Sequence, residues 1–473
     1  MSSLTERVDV GWAEEILPAL TEYIAIPNVS KAFDDDWAAN GHMDAAVDLV
    51  VTWCVARPIT GLTVEVQRLP GLTPLVVCEV PASDPTLADR TVLLYGHLDK
   101  QPEMTGWRDG LGPWTPVLEG DRLYGRGGAD DGYAAFASLL AIEAAQAEGI
   151  PHARLLVLVE ASEESGSPDL PAHVEALADR IGSPELVVCL DSGCLDDERL
   201  WITTSLRGLA EGELTVEVLT AGKHSGGASG IVPSSFRLIR QLLDRLEDSA
   251  TGRVLVPELH VDIPADRAAG AAETAAAMPR PPAAEFPFAG STRPMTDDPT
   301  EQLLAKTWRP TLSVIGADGL PPTSRAGNVL RPSTTLGLSF RLPPTCDHVA
   351  ALAALERTVL ADPPCEANVR FAHAQSAPGW NAPPFVPWLR DALDEASTAA
   401  FGQPARTLGE GGTIPFMGML GERFPTAQFV VTGVLLPDSN AHGPDEYLHL
   451  PTARRITECI ARLLGAHAAS PRS

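Results

Sequence analysis

The chain has 473 residues, more than one ordinary hydrophobic core accommodates, and its length predicts about two or three domains. Its composition, 44% hydrophobic and 21% charged, is typical of a soluble globular protein. The 35 Lys+Arg against 62 Asp+Glu give a formal net charge of −27. Nucleic acids and anionic lipids bind proteins through neutralisation of their phosphates, so this acidity argues against both as partners.

The amino-terminal segment MSSLTERVDVGWAEEIL lacks the basic and apolar regions of a secretory signal and has the pattern of an amphipathic helix. No apolar run approaches the ~20 residues that span a bilayer. The seven cysteines include no CxxC pair, and several lie inside apolar runs. Because an odd, scattered set indicates a reducing compartment, we expect a cytoplasmic protein without a membrane association.

Strands and helices alternate along much of the chain. In chain order the pattern predicts a strand at 91–96, a helix at 131–149, a strand at 154–162, a helix at 171–181, a strand at 186–193, a helix at 386–400 and a strand at 428–434. The four strands are short apolar runs rich in β-branched residues, which indicates burial on both faces. The predicted fold class is therefore α/β, with a largely parallel sheet covered by helices.

The middle of the chain has a different pattern. Segments 209–222 and 334–344 alternate polar and apolar residues, as half-buried antiparallel strands do. A helix near 234–248 and an Ala/Pro-rich stretch at 264–290 lie between them. We therefore predict a catalytic domain formed by 1–205 and 381–473, with a smaller α+β domain inserted at 206–380.

Acidic and histidine side chains follow each of the four buried strands. The chain places His97 and Asp99 after the first strand, Glu163 and Glu164 after the second, Asp191 after the third and His442 after the fourth. Ligands bind outside the carboxyl ends of the strands in open α/β sheets, so these groups are predicted to meet at one edge.

Any one of these residues alone is more simply a helix cap or a loop residue, but together they favour a metal site. Nitrogen and oxygen ligands without thiolate suit Zn, Mn or Co. With Asp130 the set offers five ligands, more than one tetrahedral zinc needs. Such a set suits two metals about 4 Å apart that share a carboxylate.

The stretch GRGGADDGYA at 125–134 could cradle a phosphate or carry a metal ligand. A dinucleotide loop requires G-x-G-x-x-G, but Asp130 stands where its third glycine belongs, and a P-loop's Gly-Lys-Ser/Thr is absent. The carboxylate would also repel phosphate. We therefore interpret the glycines as a tight turn before Asp130, and we predict that Asp131 begins the following helix, where its charge favours the helix dipole.

The motifs YGHLDKQP, LYGRGGADDGYA, EASEESGS, LDSG, KHSGGASG, EGGTIP and NAHGPDE occur in the order found in M20 metallopeptidases. The sequence resembles that family over nearly its whole length, in particular the branch with carnosinase-like and other dipeptidases. One departure is DDGY where many relatives have DDKG.

The resemblance implies two metal ions, Zn in preference to Mn or Co, with Asp130 as the bridging ligand. The implied ligand sets are His97, Asp130 and Asp191 for one ion, and Asp130, Glu164 and His442 for the other. Glu163 would be the general base and acid, and Asp99 would orient His97.

The resemblance also assigns roles to the inserted domain, which would be a lid and a dimerisation domain. His224 would reach the active site of the partner subunit in a homodimer and stabilise the oxyanion. The implied substrate-binding residues are Asn328, Arg341, Gly412 and Thr413. Asn328 could instead cap a turn, and Arg341 could be a solvated strand residue.

Three functions remain open from the sequence. The first is hydrolysis of dipeptides or short peptides by a water activated between two metals, with Glu163 as base. The second is the same machinery acting on N-acyl amino acids or related small amides. The third is a non-enzymatic binding protein, against which the complete ligand set argues.

Overall fold

The computed structural model describes residues 3–412 and 415–472. The chain divides into two compact units, the first made of Met1–Thr204, Ala382–Leu408 and Met419–Ser473, and the second of Ser205–Asn381 and Gly409–Gly418. The second unit thus includes a short segment near 409–418 that the sequence left in the catalytic domain.

Both units contain α-helices as well as strands. In chain order they are α1 Leu4–Gly11, α2 Leu17–Ile24, α3 His42–Val55, α4 Tyr133–Ala147, α5 Leu170–Ala176, α6 Ala178–Ile181, α7 Ser225–Ala228, α8 Ser235–Leu243, α9 Ala265–Ala277, α10 Pro299–Thr307, α11 His348–Leu360, α12 Pro387–Phe401, α13 Pro415–Arg423 and α14 Leu450–Ala469.

The strands, again in chain order, are β1 Thr63–Gln67, β2 Leu75–Val80, β3 Thr91–His97, β4 Val117–Glu119, β5 Arg122–Tyr124, β6 Arg154–Glu160, β7 Leu186–Cys189, β8 Trp201–Leu206, β9 Gly208–Glu217, β10 Lys223–His224, β11 Glu247–Asp248, β12 Arg253–Val254, β13 Thr311–Asp318, β14 Val329–Leu330, β15 Ser333–Leu342, β16 Asn368–Ala377, β17 Trp380–Asn381, β18 Arg406–Glu410, β19 Gln428–Val431 and β20 Tyr447–His449.

The main sheet of the first unit has the strand order β1-β2-β6-β3-β7-β19-β8. Its four central strands, β6, β3, β7 and β19, run parallel to one another, and the outer neighbours are antiparallel. These four are the strands that the sequence predicted, and all seven residues of β3 are buried. The α/β fold class with a largely parallel sheet is confirmed.

Helices α4, α12 and α14 pack together, and their apolar side chains join the strands in one core. The helix predicted at 131–149 begins later, at Tyr133, because a wide turn occupies Gly128–Gly132. The helix predicted at 171–181 is broken into α5 and α6. A short second sheet, β20-β5-β4, lies beside the turn and brings the segment after His442 next to Tyr124.

The second unit is built on a four-stranded antiparallel sheet with the order β13-β15-β9-β16. Strand β9 alternates between buried and more exposed residues, as its sequence predicted. Helices α8 and α11 cover one face, and residues such as Ile239, Phe340 and Leu355 form its core. The Ala/Pro-rich stretch forms α9 and a short 3₁₀ helix at Pro282–Glu285.

None of the helices in the described part of the chain is long and apolar enough to cross a membrane. The seven cysteines all lie in described residues and are free thiols, six of them buried.

Candidate metal centre

The carboxyl ends of the central parallel strands deliver polar side chains to one edge of the sheet. His97 is the last residue of β3, Asp191 follows β7 by two positions, and Glu163 and Glu164 lie in a short 3₁₀ turn just after β6. His442 comes from the loop between β19 and β20. The sequence reasoning that placed these groups at a common edge therefore corresponds to the geometry.

Asp130 lies at the centre of this cluster, with its two carboxylate oxygens directed at different histidines. Its Oδ1 is 3.4 Å from His97 Nε2, and its Oδ2 is 2.9 Å from His442 Nε2. His97 Nε2 is also 3.8 Å from Asp191 Oδ2, and His442 Nε2 is 3.2 Å from Glu164 Oε2. The cluster thus consists of two triads that share one carboxylate.

Each triad has the geometry of a candidate metal site. The ligand atoms of His97, Asp130 and Asp191 all lie within 4.8 Å of one another, and so do those of Asp130, Glu164 and His442. The donors are imidazole nitrogens and carboxylate oxygens, which suit a divalent ion of the zinc or manganese kind.

His97 supplies a further test of whether these residues fit a metal. Its Nε2 is buried and has no hydrogen-bond partner among the residues that the structure describes, although three carboxylates surround it. On the other side of the ring, Nδ1 lies 3.1 Å from the main-chain oxygen of Asp99. A neutral imidazole that donates from Nδ1 directs its Nε2 lone pair into the cluster, as a metal ligand does.

Burial and mutual repulsion shift the pKa values of the carboxyl groups. Burial raises the pKa of Asp191 to about 7 and that of Glu163 well above its usual value, to which the nearby Asp191 adds. Burial alone would raise the pKa of Asp130 as well, but the close imidazoles of His442 and His97 hold it below its usual value. A cation among these groups favours their ionised forms, so the cluster suits one.

The glycines of 125–132 allow the chain to make the turn before Asp130. Gly127 has φ 75°, and a Cβ on Gly132 would lie 2.2 Å from the Tyr23 ring and 2.5 Å from the carbonyl oxygen of Gly127. The prediction that Asp131 begins the following helix is wrong. Asp131 is fully buried in the wide turn, where its Oδ2 accepts the main-chain N–H of His97 at 3.3 Å.

Asp99 supports the turn that carries the two glutamates. Its Oδ1 accepts the backbone N–H of Glu163 at 3.1 Å, and its Oδ2 accepts that of Glu164 at 3.0 Å. The distance from His97 Nδ1 to Asp99 Oδ1 is longer, 3.5 Å. The carboxylate therefore contacts the glutamate turn more closely than the histidine that the resemblance assigned to it.

A second buried carboxylate, Glu160, binds the residues on either side of the same turn. Its Oε1 accepts hydrogen bonds from the hydroxyls of Tyr95 at 2.6 Å and Ser167 at 2.8 Å, and its Oε2 accepts one from Ser162 at 3.1 Å. Gln101 donates to Glu164 Oε2 at 2.7 Å. The sequence did not single out these contacts, because nothing in their local pattern distinguishes them from ordinary polar residues.

The predicted positions of the second unit form two local groups. His224 is exposed and pairs with Val329 across β10 and β14, and the carbonyl of Asn328 accepts the N–H of Ser225 at 2.9 Å. His224 and Asn328 are thus neighbours.

The other group contains Arg341 and Gly412, which both lie near Arg207. The main-chain N–H of Arg207 donates to the carbonyl of Gly412 at 3.0 Å, and its side chain donates to that of Gly411 at 3.1 Å. Burial lowers the pKa of Arg207 to about 10, and the charge of Arg341 contributes to that shift. Thr413 lies outside the described residues.

Comparison with known proteins places the chain among peptidases. The model of Peptidase family M20/M25/M40 matches residues 93–466. The cysteinylglycine-S-conjugate dipeptidase of Corynebacterium striatum is 27% identical over 429 residues, which cover 86% of this chain and 86% of the relative.

Two solved structures show the same fold. The di-peptidase Dug1p from Saccharomyces cerevisiae aligns with a TM-score of 0.75 at 22% identity, over 99% of this chain and 98% of that one. Human carnosine dipeptidase 1 aligns with a TM-score of 0.74 at 23% identity, over 98% of both chains.

Proposed function

The chain belongs to peptidase family M20/M25/M40, and from this membership we propose that it hydrolyses dipeptides or short peptides with two divalent metal ions. It is a metallopeptidase, and its family implies the use of divalent metal. The observation that carries the two-ion proposal is Asp130, whose two oxygens face His97 at 3.4 Å and His442 at 2.9 Å. The dipeptidase name of the relative from Corynebacterium striatum supports the substrate class.

The two triads would each hold one ion, Zn in preference to Mn or Co. His97, Asp130 and Asp191 are the proposed ligands of one, and Asp130, Glu164 and His442 are those of the other. When bound, such ions polarise a substrate carbonyl and lower the pKa of water.

Glu163 is the proposed general base and acid. It lies beside both triads, with its Oε2 3.9 Å from His97 Nε2, but belongs to neither set of ligands. Its side chain is 13% exposed, so substrate and water can reach it. Its carboxylate would take the proton of the attacking water and return it to the leaving nitrogen, because it lies beside the cluster without being bound to either ion.

A homodimer in which His224 acts on the partner's site is part of this proposal. His224 is exposed at the end of β10, so its imidazole is free of the core of its own unit. Strand β13 forms an edge of its sheet and exposes Val314 and Ile315 to 49% and 65%. An edge strand with apolar residues is suited to pairing with a second chain.

The carboxylate of the substrate is proposed to bind in the second unit. The Arg207 guanidinium donates to the carbonyl of Gly411 and is close enough to Arg341 for that charge to lower its pKa, and paired cations of this kind favour a carboxylate ligand. Asn328 and Thr413 are proposed as further substrate contacts. We also propose a cytoplasmic location, which the free thiols support.

A substrate panel tests the reaction. The protein loaded with Zn, Mn or Co in turn is expected to cleave cysteinylglycine or carnosine faster than N-acetylalanine, with free amino acid measured by chromatography. Cleavage of the N-acyl compound alone would replace the dipeptidase proposal by a deacylase. Bound metal without cleavage of any member would contradict an enzymatic function.

Substitution of Glu163 tests the mechanism. Glu163→Gln is expected to retain both ions and to lose about 10²–10⁴-fold in kcat, the usual contribution of a general base. Glu148→Gln is the matched control, because Glu148 pairs with Arg7 at the far end of α4. Near-normal turnover by Glu163→Gln would show that another group is the base.

A further inference from the structure

His442 is the most exposed of the five proposed metal ligands. Its side chain is 55% exposed, whereas those of His97, Asp130, Glu164 and Asp191 are at most 9% exposed. The others are fixed at strand ends or in buried turns. The position of the His442 imidazole must therefore be determined mainly by the backbone of its own loop.

That loop has an unusual backbone. Asn440, His442 and Asp445 have φ values of 54°, 64° and 58°, in the left-handed region that residues other than glycine adopt at a cost in free energy. Inside the loop, the N–H of Gly443 donates to the carbonyl of Asn440 at 2.8 Å. A loop of this kind keeps its shape only where surrounding contacts impose it.

Arg126 supplies contacts of this kind. Its Nη2 donates to the carbonyl of His442 at 3.0 Å and to that of Gly443 at 2.9 Å, and its Nη1 donates to Glu446 Oε2 at 2.5 Å. Glu446 Oε1 accepts the backbone N–H of Gly127 at 2.8 Å. The side chains of Arg126 and Glu446 are only 1% and 0% exposed.

The ion pair therefore joins two segments far apart in sequence. Arg126 and Gly127 lead directly into the turn that presents Asp130, and Glu446 ends the loop that presents His442. A planar guanidinium can serve two carbonyls and a carboxylate at once, which the single ammonium of lysine cannot do in the same geometry. A buried ion pair adds little net stability, but it can specify one arrangement of the chain.

We propose that the Arg126–Glu446 ion pair is a positioning device for His442, and that it sets the metal affinity of the Asp130–Glu164–His442 triad. The other triad shares Asp130 but contains no residue of this loop, so its affinity changes less. The inference rests on the proposed two-metal function, and it assigns the pair a role that contact with the substrate does not require.

The test uses the full-length protein and zinc titrations in competition with a chromophoric chelator. Arg126→Lys keeps the positive charge but removes the planar guanidinium that bonds several acceptors at once. Arg126→Met/Glu446→Leu removes both charges together, so neither partner is left as an unpaired buried charge, which would strongly destabilise the fold. Arg122→Lys is the matched control, because Arg122 bonds the exposed Asp438 near the same loop, outside the metal cluster. The unfolding midpoint of each metal-free variant checks the fold.

The wild type is expected to bind two ions per chain. In both Arg126 variants, the ion of the Asp130–Glu164–His442 triad should dissociate about 10–100-fold more readily, the usual cost of losing a group that orients a ligand. Arg122→Lys should bind as the wild type does. In a His442→Ala background, Arg126→Lys should cause no further loss.

Wild-type affinity for both ions in the two Arg126 variants would overturn the inference. So would an equal loss with and without His442, which would indicate a general structural effect. A wild type that binds fewer than two ions would instead contradict the proposed two-metal function.

Discussion

Asp99 offers a direct test of how the glutamate turn is held. Asp99→Asn keeps the size of the side chain but replaces one acceptor oxygen by an NH₂ group, which cannot accept the N–H of Glu163 or Glu164. Those N–H groups now donate at 3.1 and 3.0 Å to an ionised carboxylate. The contact of His97 Nδ1 with the main-chain oxygen of Asp99 at 3.1 Å does not depend on the side chain.

The size of the effect follows from these two bonds. A hydrogen bond to a charged group contributes about 1.5–3 kcal/mol, and a neutral one about 1 kcal/mol. Losing one bond and weakening the other therefore costs about 2–4 kcal/mol, at about 1.4 kcal/mol per factor of ten. Because the turn positions both the proposed base and a proposed ligand, we expect kcat/KM to fall by about 10²-fold.

The assay is dipeptide hydrolysis by the zinc-loaded variant, together with a double-mutant cycle that includes Glu164→Gln. If Asp99 acts through the glutamate turn, the two substitutions should be non-additive, because residues in one hydrogen-bond network couple. A kcat/KM within about threefold of the wild type would refute the reasoning. Strict additivity with Glu164→Gln would refute the route through the turn and favour an action on His97.

Three further predictions concern buried polar groups. Lys100→Met should lower the unfolding free energy by about 3 kcal/mol in urea denaturation, because the Lys100 ammonium donates at 2.7 Å to main-chain carbonyls at the end of α2 that would lose this donor. Glu160→Leu should lower kcat/KM for dipeptide hydrolysis by about tenfold more than Glu160→Gln, which keeps one acceptor oxygen for the hydroxyls of Tyr95 and Ser167. Burial and Arg90 lower the pKa of His467 to about 4, so the unfolded chain binds more protons and stability falls as the pH drops below 6.5. The wild type should lose about 2 kcal/mol more than His467→Gln between pH 7 and pH 5, measured by urea titration at both values.

The positions of the central strands were predictable because a short, continuous apolar run indicates a strand that is buried on both faces. The run at 91–96 is too apolar to be anything but a buried strand, and a parallel sheet puts the residues after each strand at one edge. The proximity of His97, Glu164 and Asp191 could therefore be predicted from the strands alone. His442 was harder, since eleven positions separate it from the end of β19 and the loop conformation is not encoded in any periodic pattern.

Asp131 shows why the remainder could not be predicted. Its sequence position, after glycines and before an Ala-rich helix, is that of an ordinary helix start. In the structure Gly132 packs against Tyr23, the turn widens, and Asp131 is buried under β3. This outcome depends on a long-range contact with α2. A local pattern of one or two turns carries no information on it.

Arg126 and Glu446 extend this contrast. They lie in the motifs GRGG and HGPDE, close in sequence to Asp130 and His442, yet 320 residues separate the two partners. A sequence can state which residue types meet a metal, since donor chemistry is a property of single side chains. It cannot state which charges hold those donors in place, because that depends on pairs. For a proposed ligand as exposed as His442, our proposal makes the metal affinity depend on Arg126 and Glu446, which are not among the proposed ligands themselves.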